Sequence, residues 1–134
     1  MAGLGDYPSA AVLRAEDLAR AKNFYADVLG LKPRDFSGPA SEGMAVFTAG
    51  DGTGVMIYER PGMPPPQNTA LGFGVPVDKF DEVVADLRAK GVTFEDYDLP
   101  EIGLKTVNGV AASESFKAAW FKDSEDNIVN IASM

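Results

Sequence analysis

Arg14 interrupts one apolar run, SAAVLRA, and Asn130 interrupts another, NIVNIAS. A guanidinium in such a place can hold a carboxylate or an enolate, or it can pair with a nearby Glu or Asp. An amide there can exchange hydrogen bonds with a bound molecule, or bond to water on an open surface. Trp120, the single tryptophan, and Tyr58 offer faces for stacking, with Met56 as an adaptable apolar filler beside them. The competing role for Trp120 is to plug a small core. Tyr97 and Asp98, in YDLPEIGL, are placed either to close over a ligand or to form a solvated rim. The candidate ligand-binding residues are therefore Arg14, Met56, Tyr58, Trp120 and Asn130, and no catalytic residue stands out.

The chemistry this chain lacks is as informative. It has no cysteine and no histidine, which removes thiolate catalysis, disulfides, cysteine zinc sites, the commonest general base and the commonest metal ligand. No metal and no cofactor is expected. Twenty acidic residues against 12 basic give a net charge of −8, with no basic cluster, so nucleic acid is an unsuitable partner. MAGLGDYPSA lacks the pattern of a secretory signal, and no run of 18 apolar residues occurs, so the expectation is a soluble, cytoplasmic protein that meets no membrane.

The elements that position these residues come as a repeat. Asp17 to Gly30 and Asp78 to Gly91 are segments of equal length, each preceded by an apolar run. In the first, Asp17 is the N-cap, Leu18, Ala21, Tyr25 and Val28 recur at helical spacing, and Gly30 ends the helix. In the second, Asp78 takes the capping role, Phe80, Val83, Val84 and Leu87 form the buried stripe, and Gly91 stops it. Strands SAAVLRA and ALGFGVPV precede the helices. KPRDF, MAVFTAG and GVMIYER follow the first, with a Gly-Asp-Gly turn joining the last two; TFEDYDL, FKAAWFK and NIVNIAS follow the second. Alternation then buries Val129 and Ile131 and turns Asn130 to the other face, while Phe73 and Phe121 take the packing parity. RPGMPPPQN reads as an extended connector, because proline cannot donate to a sheet ladder.

DLARAKNFYADVLGL, DKFDEVVADLRAKGV and AAWFKDSEDNIVNI together resemble the vicinal oxygen chelate superfamily, which includes glyoxalases, bleomycin-resistance proteins and extradiol dioxygenases. The resemblance covers essentially the whole chain. It implies an α+β fold of two βαβββ modules, 9–60 and 69–134, joined by a proline-rich connector at 61–68, with curled mixed sheets around a cavity. It also implies a homodimer. In metal-using members four cavity-facing ligands, mostly His and Glu, come from the first and last strands of each module. Those positions fall here on Ala10, Met56, either Ala70 or Gly72, and Asn130. Alanine, methionine and glycine side chains supply none of the usual oxygen or nitrogen donors. A slip of one residue that turned Glu59 or Glu16 inward would still leave too few.

The function this implies is a metal-independent small-molecule binding protein of the bleomycin-resistance type, which sequesters an aromatic or largely apolar compound. The alternative is a metal-free isomerase or lyase in which Arg14 steadies an anion and a buried Glu, Asp or Tyr moves a proton. A third reading is an ancillary dimerising module with a collapsed cavity.

Overall fold

A computed structural model describes residues 3–35 and 41–134. Phe36, read above as the end of the strand KPRDF, lies outside them. The chain divides into two compact units, Met1–Pro64 and Pro65–Met134.

The first unit runs β1 (Ala10–Ala15), α1 (Leu18–Asn23), β2 (Lys32–Arg34), β3 (Met44–Thr48) and β4 (Gly54–Glu59). Its sheet has the order β1-β4-β3-β2, with β1 parallel to β4 and the other pairs antiparallel. Asp17 caps α1 as expected, its carboxylate accepting from the Arg20 N–H at 3.1 Å. The helix continues as a π turn over Phe24–Val28, in which the Leu29 N–H reaches back to the Phe24 carbonyl. Tyr25 is thereby fully buried, its ring 6.0 Å from that of Phe47. Gly30 closes the element at φ 77°, a conformation glycine adopts without strain. The Gly50-Asp51-Gly52 turn joins β3 to β4 as the sequence suggests, with Asp51 at φ 56°.

The second unit runs β5 (Thr69–Val75), α2 (Phe80–Ala89), β6 (Asp98–Leu99), β7 (Leu104–Lys105), β8 (Val110–Ala112), β9 (Lys117–Lys122) and β10 (Ile128–Ser133). Its main sheet repeats the topology, β5-β10-β9-β8, with β5 parallel to β10; β6 and β7 form a separate small hairpin. Phe80 and Val84 of α2, with Phe121, Val129 and Ile131 of the sheet, are buried, while Phe73 is only half-buried.

Two expectations are corrected here. Asp78 is not the cap of the second helix: it lies in a 3-10 turn, Val77–Lys79, that leads into α2, and no side chain caps the helix start. TFEDYDL is not a continuous strand. Phe94 makes one isolated bridge to Phe121, and the edge strand paired with β9 is instead Val110–Ala112. The turn before that strand is Asn108-Gly109, at φ 52° and 81°, with reciprocal Val107 and Val110 hydrogen bonds of 2.8 and 3.2 Å. An Asn-Gly pair is the strongest short hairpin signal, and it was available in the sequence.

Candidate functional site

Strand register sorts the first unit's side chains into two faces. Leu13, Ala45, Phe47, Val55 and Ile57 are buried on the face that carries α1. The other face is built in cross-strand rows. Arg14 stands beside Tyr58 and then Met44; Val12 beside Met56, Val46 and Arg34; Ala10 beside Gly54, Thr48 and Lys32. The structure therefore brings Arg14, Met56 and Tyr58 together, in adjacent rows. Arg14 is buried, Met56 and Tyr58 are half-buried, and Val12 is 56% exposed. The Arg60 guanidinium lies 5.9 Å from the centre of the Tyr58 ring, within cation–π range.

Glu59 and Glu16 are employed elsewhere. Glu59 accepts from the Leu18 N–H at 2.8 Å, satisfying a donor at the start of α1, and Glu16 accepts from the Gly62 N–H at 2.6 Å. A cavity of about 380 Å³ opens at the edge of this unit, lined among others by Lys22 of α1, Ala26 of the π turn that follows it, and Pro33 of β2. None of the five candidate residues lines it.

In the second unit, Trp120 and Asn130 are direct cross-strand neighbours, and Gly72 stands opposite Asn130 on its other side. The pairing of β5 with β10 is thereby defined. An extra residue in β5, between the pairs Thr69–Ile128 and Leu71–Val129, takes up Ala70 and brings Gly72 into line. The Asn130 amide group donates to the Ala119 carbonyl at 3.2 Å and the Ile131 carbonyl at 3.3 Å. Its amide hydrogens therefore tie it to the sheet, and its Oδ1 turns toward Gly72, where a Cβ would lie 3.6 Å away. An acceptor beside a position without a side chain suits a ligand that donates.

Tyr97 packs edge-on against Trp120, ring centres 5.7 Å apart at 79°. Burial, then the charge of Glu95, raises its phenol above the ordinary tyrosine range, so the hydroxyl remains a donor. The segment is anchored next door. Asp96 accepts from the Gly109 N–H and the Thr106 hydroxyl, both at 2.8 Å, and the Thr106 hydroxyl oxygen accepts from the Tyr97 N–H at 2.7 Å. The Gly109 bond, then that of Thr106, holds the Asp96 carboxyl below the usual carboxylate range. A depressed carboxyl stabilises the fold above its unfolded pKa and loses that contribution as pH falls through its folded pKa. The melting temperature of Asp96→Asn is accordingly expected to lie below that of the parent at pH 7 and to converge with it as the solution is acidified. A gap that is constant with pH would remove this account of Asp96.

The metal-using arrangement does not fit these residues. The positions the resemblance assigns carry Ala10, Met56, either Ala70 or Gly72, and Asn130, and the Asn130 amide already serves the sheet. Among the described residues, no three or more Asp and Glu side chains are grouped to hold a metal ion.

Two units of one helix and a four-stranded mixed sheet, each with parallel first and last strands, define a paired-module α+β protein. Residues 8–97 match the model of the Glyoxalase/Bleomycin resistance protein/Dioxygenase superfamily, and the chain belongs to that superfamily. Among solved structures it is similar to a glyoxalase/dioxygenase from Nostoc punctiforme, at 17% identity and TM-score 0.70, covering 99% of this chain and 95% of that one. It is also similar to the fosfomycin resistance protein FosX from Listeria monocytogenes, solved with Mn(II) and sulfate, at 15% identity and TM-score 0.65, covering 96% and 92%. FosX from Mesorhizobium loti gives 15% identity and TM-score 0.66 over the same 96% and 92%. No curated protein sequence matches the chain. No described helix is long and apolar enough to cross a membrane.

Proposed function

We propose that this protein binds and sequesters a small aromatic or largely apolar molecule without the help of a metal ion. The observation that carries this is the row Trp120–Asn130–Gly72: an indole, an amide oxygen and an open position side by side on one sheet face. In the first unit the row in the same place is Val12–Met56–Val46, with Arg14 and Tyr58 in the row beside it. Fold similarity to fosfomycin resistance proteins is in keeping with a role against a small toxic compound. The Mn(II) found with one of them has no counterpart donor set in the positions described here.

Trp120 is the only tryptophan, so intrinsic fluorescence reports on one indole. Titration with a panel of planar aromatic metabolites and drugs is expected to quench or shift it saturably, equally well with and without a chelator. Stacking contributes about 0.5–1.5 kcal/mol beyond area burial, so Trp120→Ala should weaken binding by about tenfold, measured by calorimetry. A panel that leaves both fluorescence and melting temperature unmoved overturns the reading. Affinity that vanishes with a chelator overturns its metal-free part.

A further inference from the structure

We infer that the ligand held on the first unit's sheet face is a small organic anion with an apolar body, and that Lys32 and Arg34 recognise its charged group. The inference rests on the small-molecule reading above and names the class of molecule. The three rows of that face carry Lys32, Arg34 and Arg14 and no carboxylate, in a chain that has 20 acidic residues against 12 basic. A face drawn at random from such a composition would carry more acids than bases.

Lys32 and Arg34 alternate with Pro33 on β2, the edge strand, so both cations share a face about 7 Å apart. The proline between them fixes its own φ and stiffens the strand. Both side chains are exposed, and among the described residues neither has an ion-pair partner. Asp35, just past the end of β2, lines the edge cavity alongside Arg34, but the two form no ion pair. Two like charges this close repel, and an anion between them relieves that repulsion.

Behind the cations lies the apolar body's seat. Arg34 ends the row Val46–Met56–Val12, and Lys32 ends the row Thr48–Gly54–Ala10. Val12 is 56% exposed, uncommon for a β-branched residue at the centre of a strand, and Gly54 leaves space beside it. Met56 can adapt to the shape of what lies over it. The lattice of side chains is thus apolar along the rows and cationic at one end. The net charge of the whole chain would favour a cationic ligand; the local arrangement selects the opposite sign.

The test compares two probes that share one aromatic body: 1-anilinonaphthalene-8-sulfonate, an anion, and N-phenyl-1-naphthylamine, its uncharged counterpart. Both are titrated by fluorescence into the wild-type protein and into Lys32→Gln/Arg34→Gln. The wild type should bind the sulfonate about tenfold more tightly than the amine, as two charge-assisted contacts imply. That preference should shrink as salt is raised from about 50 to 500 mM, where screening shortens the range of the charges. The double variant should lose the preference while keeping its affinity for the amine and its melting temperature, since both positions are exposed. Equal affinity of the wild type for the two probes, or a sulfonate preference that survives the double substitution, overturns the anion inference alone. Binding of neither probe overturns the small-molecule reading and this inference with it.

Discussion

Replacing Asp123 with alanine is expected to cost about 3–5 kcal/mol of stability, because its buried carboxylate organises the turn that sets β9 against β10. One oxygen accepts from the Glu125 N–H at 2.8 Å and the Asn127 N–H at 2.9 Å; the other accepts from the Asn127 side-chain amide at 2.9 Å. Asp123 and Asn127 are 4% and 1% exposed, so water cannot replace what is lost. The turn also holds Asp126 at φ 65°, a conformation that a non-glycine residue adopts only when its surroundings enforce it. Asp123→Asn keeps an acceptor for the two backbone donors but opposes its own amide to that of Asn127, so it should lie between the parent and alanine. Denaturant unfolding measures both. A loss below about 1 kcal/mol for alanine would show that the turn is held by other means. Because Trp120 and Asn130 lie on the strands this turn connects, the same variants should also weaken ligand binding.

Phe121→Ala is expected to cost a similar amount, about 3–5 kcal/mol, for a different reason. Phe121 is 1% exposed, and its ring meets Phe94 edge-on at 5.6 Å and 79°. Truncation removes the transfer free energy of the ring and leaves a cavity that a sheet fixed on both sides by β8 and β10 cannot close. Against a total stability of roughly 5–15 kcal/mol for a domain, that is from a fifth of the total to nearly all of it. Phe121→Leu should recover more than half of the loss. If alanine is tolerated with an unchanged denaturation midpoint, Phe121 is not the centre of this core.

What could be read from the sequence was whatever depends on local patterns. Asp17 as a cap, Gly30 and Gly91 as stops, and the alternation that buries Val129 and Ile131 while turning Asn130 away are each fixed by a few neighbouring residues, and the structure has them. The features that escaped are those decided by distant partners. Asp78 looks like a cap, but a 3-10 turn precedes the helix. TFEDYDL looks like a strand because its aromatic and aliphatic residues suit one. Asp96 in its middle instead ties Thr106 and Gly109 into a loop, and no periodicity could show that bond. The same holds for the site. Parity placed Trp120 and Asn130 on one face, whereas their alignment with Gly72 depends on one extra residue in β5. Lys32 and Arg34 went unremarked, since three residues of KPRDF show a cationic edge only once β3 and β4 lie beside them.

The sheet orders β1-β4-β3-β2 and β5-β10-β9-β8 place the last-made strand of each unit in the interior, between the first-made strand and a finished hairpin. Neither sheet can therefore be assembled in the order of synthesis. On a ribosome, β1 must wait for β4, whose final residue is Glu59, and β5 must wait for β10, whose final residue is Ser133. Until then each unit consists of two unjoined pieces, with apolar residues such as Leu71 and Phe121 still without the strand that will cover them. Pairings so distant along the chain pay their loop entropy before they gain contacts, which slows folding and lengthens exposure to wrong partners. The first unit escapes this interval early, and the second carries it through to the completion of β10.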